Sequence, residues 1–179
     1  MKRRAYIKKA TCLGGGLALF GAQANAKVYL TLDQAKQVIW GTTSMNPIEV
    51  KLSKAQMKSI QSASKTWVRS DSVKVWKLNS GDWFIVDQVI GKHENIDIAV
   101  GLTKAGKVKG IEVLTYRESY GHQVRNPNWR LQFHGRGHER VLKLDKEIKN
   151  ISGATLSCRH ITDGINRLTH TWNQVLRKL

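Results

Sequence analysis

Ser152-Gly153-Ala154-Thr155-Leu156-Ser157 stands between a charged segment, Leu144 to Lys149, and the last long helical pattern of the chain. That pattern is apolar at Ile161, Ile165, Leu168, Trp172 and Leu176, a spacing that keeps one face of a helix together. A turn of small, hydroxyl-bearing residues at a helix start leaves backbone N–H groups free and presents the positive end of the helix dipole. Such a place binds anions, phosphate above all. Ser152, Thr155 and Ser157 set three hydroxyls around it. The simpler reading of the same residues is an ordinary helix cap, with Thr155 or Ser157 supplying the capping oxygen.

Upstream of this turn the hydropathy alternates. Val73-Lys74-Val75-Trp76-Lys77-Leu78 reads as a strand, Asn79-Ser80-Gly81-Asp82 as a turn, and Trp83 to Ile90 as the next strand. Asp97 to Leu102 and Val108 to Thr115 read as a hairpin turning at Ala105-Gly106. Four adjacent strands predict an antiparallel sheet with helices against one face, an α+β fold. Nearer the start, Thr31-x-x-Gln34 and Ser53-x-x-Gln56 fit capping boxes. The first opens a helix to about Trp40 with Leu32, Ala35 and Ile39 on one side, the second a helix to about Ala63 using Ala55, Met57 and Ile60. Gly41 to Pro47 makes the break between them. The predicted organisation is a helical N-terminal segment at 27–70 and a sheet domain at 71–179 that ends in the long C-terminal helix.

Residues 1–26 are unlike the rest. Lys2, Arg3, Arg4, Lys8 and Lys9 form a basic head, Cys12 to Ala22 an apolar, Gly-rich middle, and Ala24-Asn25-Ala26 a small-x-small cleavage site. This is the shape of an export signal, too short and Gly-rich for a stable membrane span. Arg3-Arg4-Ala5-Tyr6-Ile7-Lys8 adds a twin-arginine pattern, with Lys2 where Ser or Thr is usual. An ordinary secretory signal and an uncleaved anchor are the alternatives. The expected location is periplasmic, or membrane-associated after export.

Five of the 30 Lys and Arg lie in those first 26 residues, so 25 remain against 13 acids, a net charge of +12. That balance favours anionic partners, an anionic membrane surface or an acidic redox protein. Charge alone would also suit nucleic acid, but export argues against it, and no nucleic-acid partner is expected. Beyond residue 26 the sequence keeps only Cys158, which excludes an internal disulfide and a thiolate metal cluster. Cys158 reads as a small buried filler.

Other residues offer chemistry more weakly. His134 and His138 are four apart, but Gly135 and Gly137 between them argue against a helix and no Cys or acid completes a ligand set, so no metal is expected. Glu118 follows a strand, and Gly121 and Gly135 allow close backbone approach. Tyr116, Tyr120, Trp129 and Phe133 are packing groups or surfaces for a stacked ring. Among Arg136, Arg140, Lys143 and Arg159, the last, just after Thr155, is best placed for a phosphate. No Ser-His-Asp spacing, phosphate-binding glycine loop or paired catalytic carboxylate stands out.

Ile151-Ser152-Gly153-Ala154-Thr155-Leu156-Ser157 resembles the signature of the FMN-binding domain family. The family is shared by the covalent-flavin subunits of the sodium-pumping NADH:quinone reductase and the Rnf complex and by small exported flavoproteins. Tyr116-Arg117-Glu118-Ser119-Tyr120-Gly121-His122 through Phe133-His134-Gly135 resembles that family's Glu-(Ser/Thr)-x-Gly segment with its following Phe-x-Gly, and residues 98–113 its core hairpin. Lys149 stands where the family often has an Asp. The resemblance implies FMN held by a phosphoester on Thr155, attached by a flavin transferase that uses FAD and magnesium. Ser152, Gly153, Ala154, Ser157, Glu118, Gly121 and Arg159 would shape the cofactor site, with the flavin ring against the neighbouring sheet. The implied activity is electron transfer at the outer face of the cytoplasmic membrane, from a membrane redox protein or quinone-linked donor, rather than stand-alone catalysis. The runner-up is a flavin-free partner- or membrane-surface-binding module of the same fold.

Overall fold

Two capping boxes start the first two helices. The Thr31 hydroxyl accepts from the Gln34 N–H at 3.2 Å while the Gln34 side chain accepts from the Thr31 N–H at 2.8 Å, and α1 runs Leu32–Trp40. Ser53 and Gln56 repeat the arrangement at 2.8 and 3.2 Å, and α2 runs Lys54–Ser64. The computed structural model describes residues 26–179, so the predicted leader lies, but for Ala26, outside the described residues.

The stretch 27–70 is not wholly helical. Before α1, Lys27–Val28 forms a short strand, β1, and between the helices Met45–Lys51 forms a strand, β2, where the sequence reads as a break. The strands read from the sequence follow as β3 (Ser72–Leu78), β4 (Trp83–Ile90), β5 (Asn95–Leu102) and β6 (Val108–Tyr116). All six pair antiparallel in one sheet of order β1-β6-β5-β4-β3-β2. β2 is an edge strand, and an edge tolerates Pro47 because its outer backbone needs no partner. Only Val50 of β2 is fully buried, so little of the strand's pattern shows in the sequence.

The sheet has helices on both faces, not one. On the first, Ala35 and Ile39 of α1 pack with Leu78, Phe84, Ala99 and Leu114. Gly101, paired with Gly110, makes that approach possible: a Cβ on Gly101 would stand 2.5 Å from Ile39. On the second lies α4 (Thr155–Gln174), which contributes Ile161, Ile165, Leu168 and Trp172 to the core formed with Ile85, Val89, Ile98 and Val100. The apolar row of α4 read from the sequence is the one buried here, and α2 joins this face through Ile60. At Gly164 the helix comes so near β4 that a Cβ would meet Val89 at 2.6 Å.

Between β6 and α4 the chain is mostly irregular, with one short helix, α3 (Pro127–Arg130). The buried Asn166 amide of α4 holds this segment by accepting from the Leu142 N–H at 2.8 Å and donating to the Leu142 carbonyl at 2.9 Å. Among the described residues, no helix is long and apolar enough to cross a membrane.

Candidate functional site

The Ser-Gly-Ala-Thr turn is built by three neighbours. Trp129 of α3 donates its indole N–H to the Lys149 carbonyl at 2.7 Å, and the Gln132 side chain accepts from the Lys149 N–H at 2.8 Å. That fixes the approach to Asn150. Asn150 then accepts from the Ile151 N–H at 2.8 Å and donates from its side-chain amide to the Thr155 hydroxyl at 3.1 Å. Gly153 crosses in the left-handed region at φ 80°, and a Cβ there would meet nothing within 4 Å. Ser152 and Gly153 are exposed, Thr155 is half-buried and Ala154 is buried.

Neither Thr155 nor Ser157 caps the helix. The cap residue of α4 is Ala154, with no side-chain bond, and Thr155 is the first helical residue. The first backbone N–H groups of a 20-residue helix therefore carry no capping side-chain oxygen. Ser157 turns inward instead, its Oγ 2.8 Å from the Tyr116 hydroxyl, which donates to the Tyr120 carbonyl at 2.5 Å. With the single Tyr116 proton used there, Ser157 is the donor to Tyr116. Burial raises the Tyr116 pKa and keeps the phenol neutral.

Gly121 closes the same knot. Its φ is 93°, and a Cβ would lie 2.5 Å from the Tyr116 hydroxyl and 2.7 Å from the Ser157 hydroxyl. A side chain there would break both the backbone conformation and the contact with the start of α4.

Glu118 points elsewhere. Its carboxylate accepts from the backbone N–H of His93 at 2.5 Å and of Glu94 at 2.9 Å, in the loop between β4 and β5. Burial pushes its pKa up, but the N–H groups of Glu94, His93 and Lys92 outweigh it, and the net shift is downward. Gly91 is bare because a Cβ would stand 2.4 Å from that carboxylate. Glu118 is thus engaged as a loop anchor beside the site. Arg159 is exposed one turn past Thr155, where with His160 it opposes the burial that raises the Asp163 pKa. Cys158 is fully buried with its thiol pKa raised by burial, an inert filler.

The predicted site residues therefore divide. Thr155, Ser157, Ala154 and Gly121 converge, Ser152 and Gly153 form the exposed lip, Arg159 stands on the next turn, and Glu118 acts through the neighbouring loop. Asn150 was missed. Its side chain is the one that touches the Thr155 hydroxyl, yet nothing in a lone Asn before an Ile marks it. Of the four candidate aromatics, Tyr116, Trp129 and Phe133 are core, while Tyr120 is 84% exposed.

A cavity of about 490 Å³ lies away from this turn. It opens where β3 and β4 part beyond the Lys74–Val86 pair, lined by Leu52, Val68, Asp87, Arg167 and Leu168 among others, and by none of the predicted site residues. Leu168 lies 13 residues, roughly 20 Å, along α4 from Thr155. Leu156 within the turn is exposed, and so is Tyr120, whose carbonyl is joined to Ser157 through the Tyr116 hydroxyl. The residues suit a phosphate ester on Thr155: the residue is only half-buried, the helix N–H groups beside it are uncapped, and Gly153 leaves room.

Residues 91–170 match the model of the FMN-binding domain. The chain is also 30% identical over 102 residues to a subunit of the ion-translocating oxidoreductase complex of Shewanella piezotolerans (strain WP3 / JCM 13877). That alignment takes in 50% of this chain and 47% of the relative, so the chain spans about half the length of the curated protein it matches.

Proposed function

From the membership of residues 91–170 in the FMN-binding domain family, we propose that this chain is an exported flavoprotein holding FMN covalently on Thr155 for electron transfer. The observation that carries the reading is the uncapped start of α4, with the Thr155 hydroxyl accepting from Asn150 and no side-chain oxygen on the first N–H groups of the helix. In the proposed attachment, Thr155 Oγ loses its proton and bonds to the phosphorus next to the flavin. The pyrophosphate bond of FAD breaks, and AMP leaves. The Asn150 donor favours negative charge on that oxygen as the proton departs. Afterwards the N–H groups of the first turn and the dipole of α4 hold the phosphate, with Arg159 the nearest predicted cation.

When bound, FMN supplies the redox chemistry, and the protein supplies position and electrostatics. Tyr120 offers the exposed aromatic surface beside the turn, and the Tyr116–Ser157 contact keeps that surface in register with Thr155. The expected partners are a flavin transferase and a membrane redox protein or quinone-linked donor on the outer side of the cytoplasmic membrane. Intact-mass measurement after co-expression with a flavin transferase tests the proposal. Wild type should gain the flavin increment and Thr155→Ala should not. A wild-type chain that stays colourless and unmodified would instead be a flavin-free binding module of the same fold.

A further inference from the structure

The surface around α2 is charged in one sense only. Residues 50–70 contain Lys51, Lys54, Lys58, Lys65 and Arg69 and no acid. Lys51 reaches Asp71 at 3.7 Å, whereas Lys54, Lys58, Lys65 and Arg69 are exposed and, among the described residues, in no ion pair. Lys54, Lys58, Gln61 and Lys65 recur at helical spacing and form one stripe along α2, beside the buried row of Ile60 and Ser64. Glu49, the nearest acid before the helix, alternates with the core residues Ile48 and Val50 and so lies on the opposite face of the sheet.

At the end of the stripe stands Trp67, 73% exposed, where the other five tryptophans are buried or half-buried. Its position is built. Ser64 and Thr66 bond each other's side chains and backbone at 3.2 and 3.3 Å, Val68 is buried, and Arg167 donates to the Trp67 carbonyl at 3.0 Å. Lys65 ends α2 in the left-handed region at φ 59°, a position that favours Gly. Lys58, Gln61, Ser62, Lys65, Thr66 and Trp67 line an open hollow of about 370 Å³.

A rigid indole projecting from unpaired cations is what the interface of an anionic bilayer accepts: the indole sits among headgroups while each cation gains from the surface potential. We propose that the α2–Trp67 face docks this protein on an anionic lipid surface, with lipid phosphate in the hollow between Lys58 and Lys65. This goes beyond flavin binding and does not depend on it. Trp67 packs level with Arg167 of α4, 12 residues or roughly 18 Å along the helix from Thr155, so the docked face and the Ser-Gly-Ala-Thr turn are separate surfaces.

The test uses the full chain without flavin, sedimented with phosphatidylcholine vesicles that lack or contain about a quarter phosphatidylglycerol. Binding should require the anionic lipid, weaken with added salt, and fall about fivefold for each of Lys58→Gln and Lys65→Gln. Trp67 should give a blue-shifted emission on binding that Trp67→Phe abolishes. Equal binding to neutral vesicles would overturn the proposal, as would equal losses from Lys109→Gln and Lys146→Gln outside the patch. So would an emission shift that survives Trp67→Phe, or tighter retention on duplex DNA than on vesicles.

Discussion

The Oγ of Ser157 lies 2.8 Å from the hydroxyl of Tyr116, and that contact joins the first turn of α4 to the last residue of β6. Both groups are buried, and each would lack a partner without the other or the Tyr120 carbonyl. Tyr116→Phe should therefore cost about 1–3 kcal/mol in urea unfolding, because it leaves the Ser157 hydroxyl and the Tyr120 carbonyl unsatisfied. Ser157→Ala, which leaves the Tyr116–Tyr120 bond in place, should cost less.

Two glycines of the site separate backbone strain from collision. Gly153→Ala adds only the penalty of a left-handed backbone, about 1–2 kcal/mol, since a Cβ there meets open space. Gly121→Ala adds contacts of 2.5 and 2.7 Å with the Tyr116 and Ser157 hydroxyls and should be clearly the more destabilising of the pair. Thermal unfolding of the two variants side by side checks the order.

Asn150 should set how fast Thr155 can be modified. Asn150→Ala removes the donor on the Thr155 hydroxyl at a half-buried position, so stability should change by no more than about 1 kcal/mol. Flavin incorporation, followed by intact mass over time with a flavin transferase, should slow by at least about tenfold, the equivalent of about 1.4 kcal/mol. Unchanged incorporation would remove Asn150 from the site.

Glu118 predicts an acid limb. Its pKa is lowered in the fold from the ordinary 4.5, so the unfolded chain binds the proton more readily. The stability it adds is complete above pH 4.5 and is lost as pH falls through the lower folded value. Glu118→Gln should flatten this part of the stability–pH curve and speed amide exchange at His93 and Glu94, whose N–H groups it holds.

His170 gives a second pH signature in a different window. Burial, then the neighbouring His138, lowers its pKa from 6.5, and neither ring nitrogen has a hydrogen-bond partner among the described residues. Stability should thus decline as pH drops below 6.5 toward the folded pKa, because protonation favours the unfolded chain. His170→Leu should remove that decline and leave stability at neutral pH unchanged or raised, since no bond is lost.

The long periodicities were the legible part of the sequence. The α4 face, β3 to β6 and both capping boxes depend on residues close together in sequence, and the structure has them where the patterns put them. β2 was hidden because an edge strand with Pro47 and one buried residue carries almost no alternation. The placing of α1 on the face opposite α4 was hidden because its buried pair, Ala35 and Ile39, says that a face is covered but not which. At the site, the Ser-Gly-Ala-Thr turn was legible from its small residues, whereas the role of Asn150 and the inward turn of Ser157 rest on partners that only the folded chain brings near. Glu118 read as a ligand for the same reason. A carboxylate after a strand looks free until the loop that uses it is seen.

The Leu142 backbone makes both of its hydrogen bonds to one side chain, Asn166, and this has a mechanical consequence. A neighbouring strand would share that grip among many residues; here one side chain serves both backbone groups, beside the buried Leu142 and Ile148 side chains and the bonds of Gly135 and Arg136 to Val108. Losing it would strand an N–H and a C=O of a buried residue at once, while the sheet stays paired. The approach to Thr155 would then hang on Trp129 and Gln132 alone, the two side chains that grip Lys149.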